Sequence, residues 1–165
     1  MVILLLKLYA VRLDVVSFHW FNFVVYEKSC NFAPGIIHHT KKMIEIGLKH
    51  TSELTVSDAV TAQQMGSGDM PVLATPAMMA LMENAAMLAV ADQLPEGSTT
   101  VGGHIESSHL KPSKIGDKVS AVAEVTKVDG RKIEFKVAAY SGDTLLGEGT
   151  HLRFIVDRAR FLSKI

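Results

Sequence analysis

Thr75-Pro-Ala-Met-Met-Ala-Leu-Met-Glu-Asn-Ala-Ala-Met-Leu-Ala-Val-Ala91 is the stretch from which the architecture follows. It is rich in Ala, Met and Leu, residues that favour the helix. Between Ala77 and Ala91 only Glu83 and Asn84 are polar. A helix apolar nearly all the way round must be buried on most sides. Thr75 suits the N-cap and Pro76 the first helical position, while Pro95-Glu-Gly97 stops the run. One helix is therefore predicted over about residues 76–94. Glu83 then becomes a carboxylate in apolar surroundings, with no basic residue near it in sequence. Such a group must be paired, hydrogen-bonded or protonated. Active sites are where carboxylates of this kind collect. The alternative is a structural Glu that caps another element or pairs across an interface.

Outward from the helix, the pattern changes to strands. Residues 44–60 alternate roughly, with Leu48, Ser52, Leu54 and Val56 on one side. A short helical turn and a Gly66-Ser-Gly68 loop follow. After the helix come strands at about 99–111, 118–128, 131–140 and 144–157. Asp129-Gly130 is a hairpin signal, and Ser141-Gly-Asp143 makes another turn. Ile133, Phe135, Val137 and Ala139 alternate with Lys132, Glu134 and Lys136, so one face is buried and the other wet. A strand, one buried helix and four antiparallel strands make an α+β fold in which the sheet curls around the helix.

The 165 residues fit one domain, with 17 basic and 17 acidic residues and a net charge of zero. No basic stripe is present, so nucleic acid is not an expected partner. Cys30 is the single cysteine, which excludes a disulfide framework and a Cys-based metal site. A reducing, cytoplasmic setting is the default. Residues 1–42 differ from the rest, with Leu4-Leu-Leu6 and the aromatic run Phe18-His-Trp-Phe-Asn-Phe23. Lys7, Arg12 and Asp14 interrupt the apolar run, against a signal peptide. The longest uncharged run, 15–26, falls short of the ~20 residues a membrane span needs, so no membrane association is expected. These residues read either as an extra packed element or as upstream sequence joined by a mis-assigned start. The second is favoured, with residues 43–165 as the domain.

The order of elements is the plan of the hotdog fold. Leu73-Ala-Thr-Pro-Ala-Met-Met-Ala-Leu-Met-Glu83, then Gly102 and His109, then Pro112 with Gly116-Asp117, resembles the fluoroacetyl-CoA thioesterase family of hotdog proteins over about residues 46–162. The resemblance implies Thr75, Glu83 and His109 as catalytic residues. It implies Gly102 as a residue lining the acyl site. Gly103 and Met70, the latter in the segment before Thr75, join it as substrate-binding candidates. Gly102-Gly103 also reads as a bulge or a bend that lets the sheet wrap the helix. The family's fluoroacetyl-selective enzyme has phenylalanines as a lid before its Thr. Here Ser67-Gly-Asp-Met-Pro-Val-Leu73 has none, so a short- or medium-chain acyl-CoA is the expected substrate.

His shuttles protons near neutral pH, which suits His109 to a leaving thiolate, although a lone His in a strand is more often a satisfied polar residue. His104, five residues earlier, points to the other face of an ideal strand and reads as a surface or interface residue. The remaining His residues lack metal-ligand spacing, so no metal is expected, nor any cofactor beyond the CoA thioester substrate. The Met residues at 78, 79, 82 and 87 read as core packing. Thr75 and Glu83 lie eight residues apart on one helix, roughly 12 Å along its axis. That separation points to a site shared by two subunits of a homodimer, with a dimer of dimers as the larger option. Two other functions compete. A non-catalytic acyl-CoA-binding or regulatory module would bind without turnover. A hydratase or dehydratase would want Asp and His close together at the helix start, which Thr75-Pro-Ala-Met78 does not supply.

Overall fold

The computed structural model describes residues 43–165. The expectation for residues 1–42 lies outside the described residues. The order is β1 (Lys49–Thr55), a 3-10 turn (Asp58–Val60), α1 (Thr75–Val90), a second 3-10 turn (Ala91–Gln93), β2 (Ser98–His109), β3 (Lys118–Asp129), β4 (Lys132–Ser141), β5 (Thr144–Asp157) and α2 (Arg158–Leu162). The strands form one antiparallel sheet in the order β1-β3-β4-β5-β2. Asp129-Gly130 closes the β3–β4 hairpin, with Gly130 at φ +57° where an L side chain would be strained.

The sheet wraps α1 as the sequence suggests. Ala77, Met78, Leu81, Met82, Ala85, Ala86 and Val90 of the helix are buried. They meet Val119, Ala121, Ala123 and Val125 of β3 and Ile133, Phe135, Val137 and Ala139 of β4. Two expectations need correction. The first strand is shorter than 44–60, because the chain leaves the sheet after Thr55 and enters a 3-10 turn. The helix also keeps one uncovered stripe: Pro76, Ala80, Asn84 and Leu88 are exposed at i, i+4 spacing. On that stripe Asn84 accepts from the Ser52 hydroxyl of β1 at 2.7 Å.

The β2–β5 pair carries the irregularity that matters. Gly102 pairs with Arg153, but His104 pairs with Leu152, so Gly103 is an extra residue on β2. The bulge resets the two-residue alternation. Thr100 and Gly102 before it, and Ile105, Ser107 and His109 after it, consequently all face α1. In an unbroken strand Gly102 and His109, seven apart, would face opposite sides.

Candidate functional site

The start of α1 and the end of β2 meet at one place. Thr75 Oγ1 lies 2.8 Å from His109 Nδ1. Thr75 is not the N-cap. Ala74 takes that position in extended conformation and makes no side-chain cap, and its carbonyl accepts from Met78 N–H. The Thr75 hydroxyl is engaged by the imidazole instead. The first N–H groups of a helix have no intrahelical partner and present positive dipole, and Thr75 sits among them. His109 Nε2 is buried and has no hydrogen-bond partner among the described residues. Beside this pair opens a cleft of about 320 Å³, lined by Leu73, Thr75, His109, Leu110, Lys111 and Pro112, among others. A smaller hollow of about 230 Å³ between Lys49, Glu124, Lys136 and Tyr140 lies on the outer surface of the sheet, away from these groups.

Two turns further along α1, Glu83 faces a second group of polar residues. Its side chain is 41% exposed, so a helix buried on most sides still leaves this carboxylate partly open. Basic partners are also present, supplied by β5. Glu83 Oε1 lies 3.5 Å from His151 Nε2 and 4.0 Å from an Arg153 guanidinium nitrogen. Both partners are buried. Arg153 Nε donates to Thr100 Oγ1 at 2.8 Å, and one terminal nitrogen donates to the Thr100 carbonyl at 2.8 Å. The other is 3.0 Å from His151 Nε2. His151 Nδ1 is 2.7 Å from the His104 carbonyl, which only accepts. Burial pushes the His151 pKa below its ordinary value, helped by the Arg153 charge and opposed by the His104 carbonyl and Glu83. Burial also lowers the Arg153 pKa, against the pull of Glu83.

Gly102 stands over this carboxylate. A Cβ there would lie 2.7 Å from Glu83 Oε1 and 3.3 Å from the His151 ring. Gly102 thus admits the side chain of Glu83, whereas Gly103 faces away and packs against the Phe154 ring. Met70 is exposed and does not line the cleft, although Ser67, Val72 and Leu73 of its segment do. His104 is exposed, as expected, and takes part through its backbone carbonyl. Sequence reasoning missed His151 and Arg153. The available signal was Gly147-x-Gly149-x-His151-x-Arg153, a period-two run that turns two basic residues toward the core. Among the described residues no group of three or more His, Cys, Asp and Glu is placed to hold a metal ion, and no helix is long and apolar enough to cross a membrane.

The structure therefore brings Thr75 to His109 and Glu83 to Gly102, and leaves the two pairs apart on one chain. These residues fall within a match over residues 56–159 to the family model described as fluoroacetyl-CoA-specific thioesterase. A fluoroacetyl-CoA thioesterase from Streptantibioticus cattleyicolor is 34% identical over 94 residues, which cover 57% of this chain and 68% of that one. A solved structure of the fluoroacetyl-CoA thioesterase FlK is 29% identical, with a TM-score of 0.69 over 74% of this chain and 95% of the other. A hot-dog-like protein from Thermanaerovibrio acidaminovorans shares the fold at 23% identity, with a TM-score of 0.66 over 72% of this chain and 88% of its own. With the match spanning the helix, the bulged strand and the polar cluster behind Glu83, the chain belongs to the fluoroacetyl-CoA-specific thioesterase family.

Proposed function

We propose that this protein is an acyl-CoA thioesterase that hydrolyses short- or medium-chain acyl-CoA thioesters to the free acid and CoA. The Thr75–His109 pair beside an open cleft, at the start of a helix, is the observation that carries this reading. Water adds to the thioester carbonyl, the C–S bond breaks, and CoA leaves as a thiolate that takes up a proton. The helix start stabilises the oxyanion that forms on the carbonyl oxygen. Thr75 holds that carbonyl or the attacking water, and His109 passes a proton to the leaving sulfur. Glu83 acts as the base for that water, or as a nucleophile that takes the acyl group from sulfur as a mixed anhydride, which water then hydrolyses to the free acid. No cofactor is required. The segment before Thr75 lacks phenylalanine, which favours a general acyl substrate over fluoroacetyl alone.

The site is completed by a second copy of the chain. Among the described residues β2 is a sheet edge of 12 residues, the kind of open edge that pairs with another strand. In an antiparallel pair of β2 strands centred on Glu106, with Gly103 bulged out, Gly102 of one subunit lies opposite His109 of the other, about 5 Å away across the ladder. Glu83 of one chain then reaches the Thr75–His109 pair of the next. The assembly is a homodimer, with a dimer of dimers as a further step, in the cytoplasm. Residues 43–165 form the working unit, and a chain starting at Met43 keeps the activity.

Hydrolysis of an acyl-CoA panel, followed by free-thiol release, tests this directly. Turnover of short and medium chains is expected. Saturable acyl-CoA binding with no thiol release would instead make the protein a non-catalytic module.

A further inference from the structure

His151 is an unusual occupant of the core. Its side chain is fully buried, yet both ring nitrogens are committed to polar partners whose roles are fixed. The His104 carbonyl can only accept, so Nδ1 carries the hydrogen. The Arg153 guanidinium can only donate, so Nε2, 3.0 Å away, is an unprotonated acceptor. His151 is therefore neutral, in the Nδ1–H form. A neutral Nε2 cannot donate to Glu83 Oε1, 3.5 Å from it. What it does is hold the guanidinium nitrogen, which lies 4.0 Å from the same carboxylate oxygen. That nitrogen also contacts the Glu83 backbone carbonyl at 3.5 Å.

We propose that His151 is a positioning residue for Glu83: by accepting from Arg153 it holds the guanidinium beside the carboxylate and keeps that carboxylate aimed. The bulge is part of the device, because it turns the His104 carbonyl toward Nδ1 and so selects the tautomer. Protonation undoes the arrangement. An imidazolium Nε2–H opposes the guanidinium, donor against donor, and turns to Glu83 as a competing partner for the carboxylate. The titratable and charged groups facing His151 are Glu83 from α1, His104 from β2 and Arg153 from β5. From β4 it meets the Phe135 ring, 6.3 Å away between centroids. This proposal rests on Glu83 being the group that drives hydrolysis.

The test uses the full chain and two substitutions. His151→Gln retains an acceptor and a donor but does not titrate. His151→Leu removes both. His151→Leu should lower kcat about 10- to 100-fold, the loss expected from a misplaced catalytic group, with KM little changed. His151→Gln should restore most of the lost kcat and remove one ionisation from the acidic limb of the pH–rate profile. Equal kcat in folded His151→Leu and wild-type protein would overturn the proposal, as would an unchanged acidic limb in His151→Gln. Imidazole nitrogen NMR of the wild-type chain decides independently of how the variants fold. Nδ1–H with unprotonated Nε2 at neutral pH is expected, and an imidazolium or the Nε2–H tautomer would overturn it. Glu83→Gln separates the two readings. If that variant stays active, the role given to Glu83 fails. If it is inactive while His151→Leu is not, only the role given to His151 fails.

Discussion

Glu83 lacks the close hydrogen bonds that a structural carboxylate would make, which fits the working role proposed for it. A structural Glu would use its oxygens on close hydrogen bonds, but this one keeps 41% of its side chain exposed and holds its basic partners at 3.5 and 4.0 Å. Glu83→Gln should leave the melting temperature nearly unchanged and cut turnover by about 100-fold or more, the scale of general acid–base catalysis. Parallel melting curves and thiol-release assays check both halves. Thr75→Ala gives a cleaner reading than its sequence position suggests. Because Ala74 caps α1, the roughly 1 kcal/mol lost with an N-cap side chain should not appear. Activity should fall while stability holds. A large drop in melting temperature would return Thr75 to a capping role. Gly102→Ala places a Cβ 2.7 Å from Glu83 Oε1. Glu83 is the mobile party in that clash, so kcat should fall much more than stability.

At the scale of elements, the helix and the hairpin were legible because each rests on local chemistry. The apolar run from Ala77 to Ala91 and the alternation from Lys132 to Ala139 state their own environments. The partners of Glu83 were not legible in the same way. His151 and Arg153 come from β5, about 70 residues downstream, and reach α1 only because β5 lies between β4 and β2. The facing of His109 was hidden too. It depends on one extra residue at Gly103, and the Gly102-Gly103 pair hinted at a bulge without fixing its register. The exposed stripe on α1 escaped notice because Pro76, Ala80 and Leu88 are as apolar as the buried positions between them. The β5 cluster also gives stability a pH dependence. The folded-state pKa of His151 is lowered, chiefly by burial. Its contribution is fully present above the ordinary value of 6.5 and is lost as pH falls through the folded value, because the unfolded chain takes up a proton that the folded one resists. Melting temperature should drop on acidification below about pH 6.5, and His151→Gln should flatten that drop. An identical slope in wild type and variant would mean other groups set it.

For the molecule as a whole, the sheet and helix make a frame that holds two polar pairs apart. Thr75–His109 and Glu83–Gly102 sit at opposite ends of the same stretch of helix and strand, about 12 Å apart along the helix axis. One frame leaves them apart, and the proposed pairing of two frames along β2 would bring them together. The protein should run at twice the 18.0 kDa chain mass by light scattering. A monomer at micromolar concentration would leave each chain with only half a site. Mixing two inactive variants tests the shared site most directly. In a heterodimer of Thr75→Ala and Glu83→Gln chains, one site collects both lesions and the other has none. Verified heterodimers should therefore hydrolyse acyl-CoA at about half the wild-type rate per dimer, although each parent homodimer is nearly inactive. Heterodimers as inactive as their parents would show that each chain builds its site alone.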